Sequence, residues 1–134
     1  MKTAFLIEGH KKNPGGYNQV LNSVLCMNNL FDKRNDFIFI TNNRILNEEI
    51  TSLNINSIEY KKNIFDKFFD YFFKFNFFFN FFIKINFYHS FFKFLKIHKV
   101  DLIIFLSPSE LSLFCGDINF VLNIWDLDHK KNSP

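Results

Sequence analysis

TAFLIEGHKKNPGGYNQVLNSVLCMNNL, residues 3–30, decides the fold. Its opening Thr3-Ala4-Phe5-Leu6-Ile7 is a short apolar run closed by Gly9, which fits a strand buried in a parallel sheet better than an alternating, half-exposed one. Gly9 to Gly16 is polar and turn-forming. From Tyr17 onward Val20, Val24, Met27 and Leu30, with Leu21 and Leu25 beside them, recur at helical spacing. The order is therefore strand, glycine loop, helix. Four more strand candidates follow: Asp36 to Thr41, closed by Asn42-Asn43; a weaker Ile55 to Tyr60 after a short helix through Leu46 and Ile50; Leu102 to Leu106; and Phe120 to Trp125. Pro108 and Gly116 punctuate the last connection. Strands alternating with helical pattern predict an α/β protein, a Rossmann-like parallel sheet with helices on both faces.

The 134 residues make one domain by length. Twenty-two are Phe, with Asn, Lys and Ile also abundant, a bias that a very AT-rich coding sequence would impose. A net charge of +3 from 16 basic and 13 acidic residues lacks the concentrated basic stripe that phosphate-backbone binding needs, which disfavours nucleic acid as a partner. Glu8 interrupts the first apolar run well short of a signal-peptide core, so the N-terminus reads as a mature cytoplasmic start. Cys26 and Cys115 sit in apolar surroundings with no metal-ligand spacing, and are expected to be buried, reduced thiols in a reducing compartment.

The stretch from Ile64 to Leu95 carries Phe65, Phe68, Phe69, Phe72, Phe75, Phe79, Phe82 and Ile83 at steps of three and four, a Phe-rich helical insert. Its charge-free part, Phe75 to Ile83, is bounded by Lys74 and Lys84 and is shorter than the about 20 apolar residues a membrane span requires. Three readings fit: a core helix pair, an interfacial surface dipping into lipid, or a docking face for a partner. Lys61, Lys62, Lys84, Lys93, Lys96, His98 and Lys99 flank it and would suit anionic headgroups.

Candidate chemistry collects where strands end. Gly15-Gly16 open the first helix, where backbone amides and the positive helix end can hold a phosphate or a sugar hydroxyl; a plain Pro14-Gly15-Gly16 turn fits equally. The pattern is neither G-x-G-x-x-G nor a P-loop, which disfavours dinucleotides and ATP hydrolysis. Ser107-Pro108-Ser109-Glu110 follows the fourth strand and offers Ser107 and Glu110 as ligands, or else a helix cap. Asp126 and His129 after the fifth strand are the catalytic candidates, since a carboxylate and an imidazole at one strand end can bind hydroxyls or move protons. Trp125 beside them and His10 in the first loop are candidate substrate contacts. No metal set is evident, no G-x-S-x-G elbow is present, and neither cysteine has a neighbouring base.

With these parts in place, the chain resembles the glycosyltransferase family 4-like group, in its N-terminal, acceptor-binding lobe of the two-lobed GT-B architecture. NPGGYNQVL (Asn13 to Leu21), VDLIIFLSPSE (Val100 to Glu110) and FVLNIWDLDHKKNSP (Phe120 to Pro134) carry the resemblance in their order and distances. It implies two Rossmann-like lobes, the first binding a glycan or lipid-linked acceptor and the second a nucleotide sugar. It also implies a cleft lined by Gly15 and Gly16, and a histidine followed by aspartate where this chain has Trp125 and Asp126. The basic pair and E-x7-E motif that would hold the donor belong to the second lobe. Residues 1–134 are thus expected to be an acceptor lobe that looks truncated and is inactive alone, with the nucleotide sugar as substrate and no cofactor. The location expected is cytoplasmic, with a peripheral place on the inner face of the cytoplasmic membrane as the second option. A non-catalytic α/β module that docks on a membrane or a partner is the alternative.

Overall fold

A computed structural model of the chain describes residues 1–8, 14–31, 36–64, 66–67 and 89–123. Within them lie five strands, β1 (Thr3–Ile7), β2 (Phe37–Thr41), β3 (Ser57–Glu59), β4 (Leu102–Phe105) and β5 (Asn119–Leu122). Three helices, α1 (Pro14–Phe31), α2 (Arg44–Ser52) and α3 (Ser90–Ile97), and a short 3-10 helix, Glu110–Phe114, connect them. Every strand pair is parallel, and the order across the sheet is β3-β2-β1-β4-β5. The expected α/β, Rossmann-like sheet is what the chain forms. From β1 the chain steps outward to β2 and β3, then returns through α3 to lay β4 on the other side of β1. The direction of winding therefore reverses between β1 and β4.

Alternate residues of the central strands serve two cores. Phe5, Ile7 and Phe39 face Tyr17, Val20 and Val24 of α1 and Leu46 and Ile50 of α2. Ala4, Leu6, Ile38, Ile40, Ile103 and Phe105 face Phe91 and Leu95 of α3 and Leu111 of the 3-10 helix. Both faces are covered, which is why β1 and β2 read as unbroken apolar runs and not as alternating ones. Burying one such side chain contributes roughly 1.5–3 kcal/mol, so these two layers dominate the fold's stability.

Three boundaries differ from expectation for physical reasons. α1 begins at Pro14, not Tyr17: proline at the first helical position lacks only an amide that would have no partner there, so the glycine pair forms the first turn. β5 ends at Leu122, and Phe120 and Val121 remain half exposed, because the strand lies at the sheet edge. Cys26 is exposed on α1 whereas Cys115 is buried; an apolar sequence neighbourhood does not orient a helical residue, and position 26 lies off the stripe that carries Val20 and Val24. Burial raises the Cys115 thiol to about 12. Gly116 follows the 3-10 helix at φ +61°, and a Cβ there would lie 2.5 Å from the Phe92 ring, so both backbone and packing require glycine.

No described helix is long and apolar enough to cross a membrane. The Phe-rich stretch is described only at its ends, in Ile64, Asp66 and Lys67 and again from His89; α3 at its far end is a core helix, with Phe91 and Leu95 fully buried.

Candidate functional site

In an open parallel sheet, ligands bind beyond the carboxyl ends of the strands at the point where winding reverses. Here that point lies between β1 and β4. The backbone amide of Leu106 donates to the Leu6 carbonyl at 3.0 Å and that of Asn123 to Phe105 at 3.2 Å, so the residues leaving β1, β4 and β5 are held side by side. Ser107 is one step past that bond and nearly buried. Glu8 leaves β1 on the same edge and accepts a hydrogen bond from the Asn42 side chain after β2. The Glu8 carboxylate is a polar group of this edge that sequence reasoning passed over, having weighed it only as an interruption of an apolar run.

α1 starts on this edge and presents its amino end to it. Among the described residues, a Cβ added to Gly16 would meet nothing within 4 Å, so the first turn has open space on that side. The turn is braced from behind: the Tyr17 hydroxyl donates to Glu49 of α2. Burial and that carboxylate raise Tyr17 to about 12, so it stays a neutral donor at physiological pH.

The sequence candidates divide as follows. Gly15 and Gly16 lie in the first turn of α1, after β1, while Ser107 follows β4 and Glu110 starts the 3-10 helix after it. Ser109, not Ser107, caps the 3-10 helix by accepting from the Leu111 amide at 3.1 Å, which leaves the Ser107 hydroxyl outside the cap. Glu110 is exposed in that helix's first turn, where a carboxylate also complements the helix end. His10, Trp125, Asp126 and His129 lie outside the described residues. Among the described residues there is no group of three or more His, Cys, Asp or Glu able to hold a metal ion.

A second polar cluster, beside β3, is denser and was not anticipated. Asn63 and Asp66 form a reciprocal cap: the Asp66 amide donates to Asn63 Oδ1 at 2.7 Å and the Asn63 amide to Asp66 Oδ2 at 2.9 Å. The same carboxylate accepts from the Ser90 amide at 3.4 Å, from the Ser90 hydroxyl, and from Tyr60 Oη at 3.2 Å. His89 Nε2 stands 3.4 Å from Asp66 Oδ1, while His89 Nδ1 caps α3 by accepting from the Phe91 amide at 3.1 Å. The imidazole stacks on Phe114 at 4.0 Å. One carboxylate thus serves the amino ends of two helical segments. Burial alone would raise its pKa, but hydrogen bonds from Ser90 and the Asn63 amide, with His89 beside it, prevail and hold Asp66 below the usual carboxylate range.

Asp66, Ser90 and His89 do not form a nucleophilic triad. The serine hydroxyl is bound to the carboxylate instead of to the imidazole, and Asp66 and His89 are 2% and 1% exposed. Their arrangement fixes backbone. The local half of it, N-x-x-D at Asn63–Asp66, is a capping signature readable from sequence; the half that reaches Ser90 is not. Beside this cluster an open depression of about 520 Å³ is lined by Tyr60, Lys61, Asn63, Ser90, Lys93 and Phe94, among others.

No family model matches the sequence, and neither a curated protein nor a solved structure matches it significantly.

Proposed function

We propose that this chain is the acceptor-binding part of a glycosyltransferase of the family 4-like, GT-B type. In the complete enzyme a hydroxyl of a glycan or lipid-linked acceptor attacks the anomeric carbon of a nucleotide sugar, the nucleoside diphosphate leaves, and the hydroxyl proton passes to a base. The observation that supports this reading is the strand order, which puts the segment between β1 and the glycine-opened α1 and the segment after β4, with Ser107, on either side of the β1/β4 reversal. Backbone amides of the first turn of α1 would bind a phosphate or sugar hydroxyl of the acceptor, and Ser107 would add a hydroxyl contact. Asp126 and His129 are proposed to orient the reacting hydroxyl and take its proton, with His10, Glu110 and Trp125 lining the acceptor. The donor sugar would be held by a second lobe, so the 134-residue chain alone transfers nothing.

Calorimetric titration of the purified chain tests this. A short-chain prenyl-diphosphate monosaccharide should bind and a Gly16→Ala chain should bind it more weakly; a folded chain that ignores the acceptor, or that transfers sugar unaided, contradicts the reading.

The docking-module alternative is favoured by one observation. Ile64 and Ile97 are 83% and 76% exposed, and Ile97 lines the depression that also carries Lys61 and Lys93, an apolar and basic mixture suited to anionic headgroups. Flotation with anionic vesicles at low salt checks it, and absence of binding removes it.

A further inference from the structure

We infer that the amino end of α3 is held by a proton-sensitive latch: His89 caps α3 only as a neutral imidazole carrying its hydrogen on Nε2, and protonating the ring releases the Phe91 amide. A backbone amide can only donate, and the Phe91 amide meets His89 Nδ1 at 3.1 Å, so Nδ1 receives it with a lone pair and bears no hydrogen. The hydrogen of the neutral ring therefore sits on Nε2, which stands 3.4 Å from Asp66 Oδ1. The ring is fixed in this setting by burial, at 1% exposure, and by its stack on Phe114, 4.0 Å away with 12° between the planes.

A second proton has one place to go. On Nδ1 it would face the Phe91 N–H, donor against donor, and a bond that satisfies one of the first amides of α3 would be lost. Asp66 faces the ring from the preceding turn and would attract an imidazolium, but its charge is already met by the Asn63 amide, the amide and hydroxyl of Ser90, and Tyr60 Oη. From the 3-10 helix the ring meets the uncharged Phe114. On α3 itself Lys93, four positions on, adds a like charge.

Protonation of His89 is thus coupled to opening of the cap. Because Ser90 lies between the capping ring and the capped amide, opening also loosens the Asp66–Ser90 link, and with it the wall of the depression that Ser90, Lys93 and Phe94 form. Phe91 and Leu95, fully buried against the sheet, keep the rest of α3 in place, so the change is local. The contribution of the cap is complete above the ordinary imidazole value of about 6.5 and is lost as pH falls below it, a window higher than that of Asp66. The latch operates whether or not the chain binds a sugar acceptor.

The test is imidazole 15N NMR together with hydrogen exchange of the Phe91 amide, on the full chain and on a full-length His89→Asn chain, between about pH 8 and 5. Asparagine caps through its side-chain oxygen throughout this range. At the upper end, Nδ1 of His89 should give the signal of an unprotonated nitrogen and Nε2 that of a protonated one. Protection of the Phe91 amide should fall about tenfold per pH unit below about 6.5, while the amides of Ala4 and Ile38 keep theirs. In the His89→Asn chain Phe91 protection should not change with pH; His98 is present in both chains and does not account for a difference between them. An Nδ1–H tautomer, Phe91 protection that ignores pH in the unsubstituted chain, or the same fall in both chains overturns the inference.

Discussion

Two polar regions occupy the same edge of this sheet, and their chemistry runs opposite to their promise. The Asp66 cluster beside β3 gathers an imidazole, a serine and a tyrosine around one carboxylate, a composition that suggests catalysis. Yet its groups are buried and committed to helix ends. Among the described residues, the β1/β4 reversal carries far less, a glycine pair, Ser107 and Glu8, but a Cβ at Gly16 would meet open space and the topology brings two strand ends together there. A dense set of titratable side chains can be committed wholly to holding backbone, so density alone does not mark a site.

The largest effect that can break this comparison is expected at Asp66. Asp66→Ala strips the carboxylate from the Ser90 amide, the Asn63 amide and the Tyr60 hydroxyl together, and should cost about 3 kcal/mol or more, as the loss of one member of a buried charged network does. Urea unfolding measures it; a loss below about 1 kcal/mol would mean the network contributes no more than a solvent-exposed polar side chain does.

The pH dependence sharpens the same point. Because the folded-state pKa of Asp66 is lowered, its contribution is present above the unfolded-state value, near 4, and is lost as pH falls through the folded-state value. Asp66→Asn should therefore flatten the acid limb of the midpoint-against-pH curve. An unchanged acid limb would assign acid sensitivity to other carboxylates.

At the other region the effects on stability should be small and those on binding large. Gly16→Ala adds a Cβ into open space within a helix, so the fold should gain up to about 1 kcal/mol from helix propensity while acceptor affinity falls. Stabilisation without loss of affinity would reduce the glycine to a tolerated helix residue. Ser107→Ala, the smallest, should shift stability by no more than about 1 kcal/mol and weaken acceptor binding severalfold by calorimetry; equal affinity would remove Ser107 from the site.

What the sequence made legible follows from which forces are local. β1, β2 and β4 announced themselves because strands covered on both faces are continuous apolar runs. The start of α1 was misplaced because Pro14-Gly15-Gly16 suits a turn as well as a helix start, and only packing of Tyr17 against Glu49 decides between them. Cys26 was misjudged because its neighbours are apolar while its own helical position faces solvent. Gly15, Gly16, Ser107 and Glu110 could be assigned to one edge from the sequence because a parallel sheet puts every strand's carboxyl end on the same side. The Asp66–Ser90 link was invisible: it spans 24 positions, and nothing in either local sequence requires the other.

The most direct measurement is an amide NMR titration of the full chain with a short-chain prenyl-diphosphate monosaccharide. The account predicts shifts concentrated at Glu8, Gly16 and Ser107, with Asn63 and Ser90 unmoved. Shifts centred on Asn63, Ser90 and Lys93, with the β1/β4 edge silent, would contradict it and move the site to the depression beside β3.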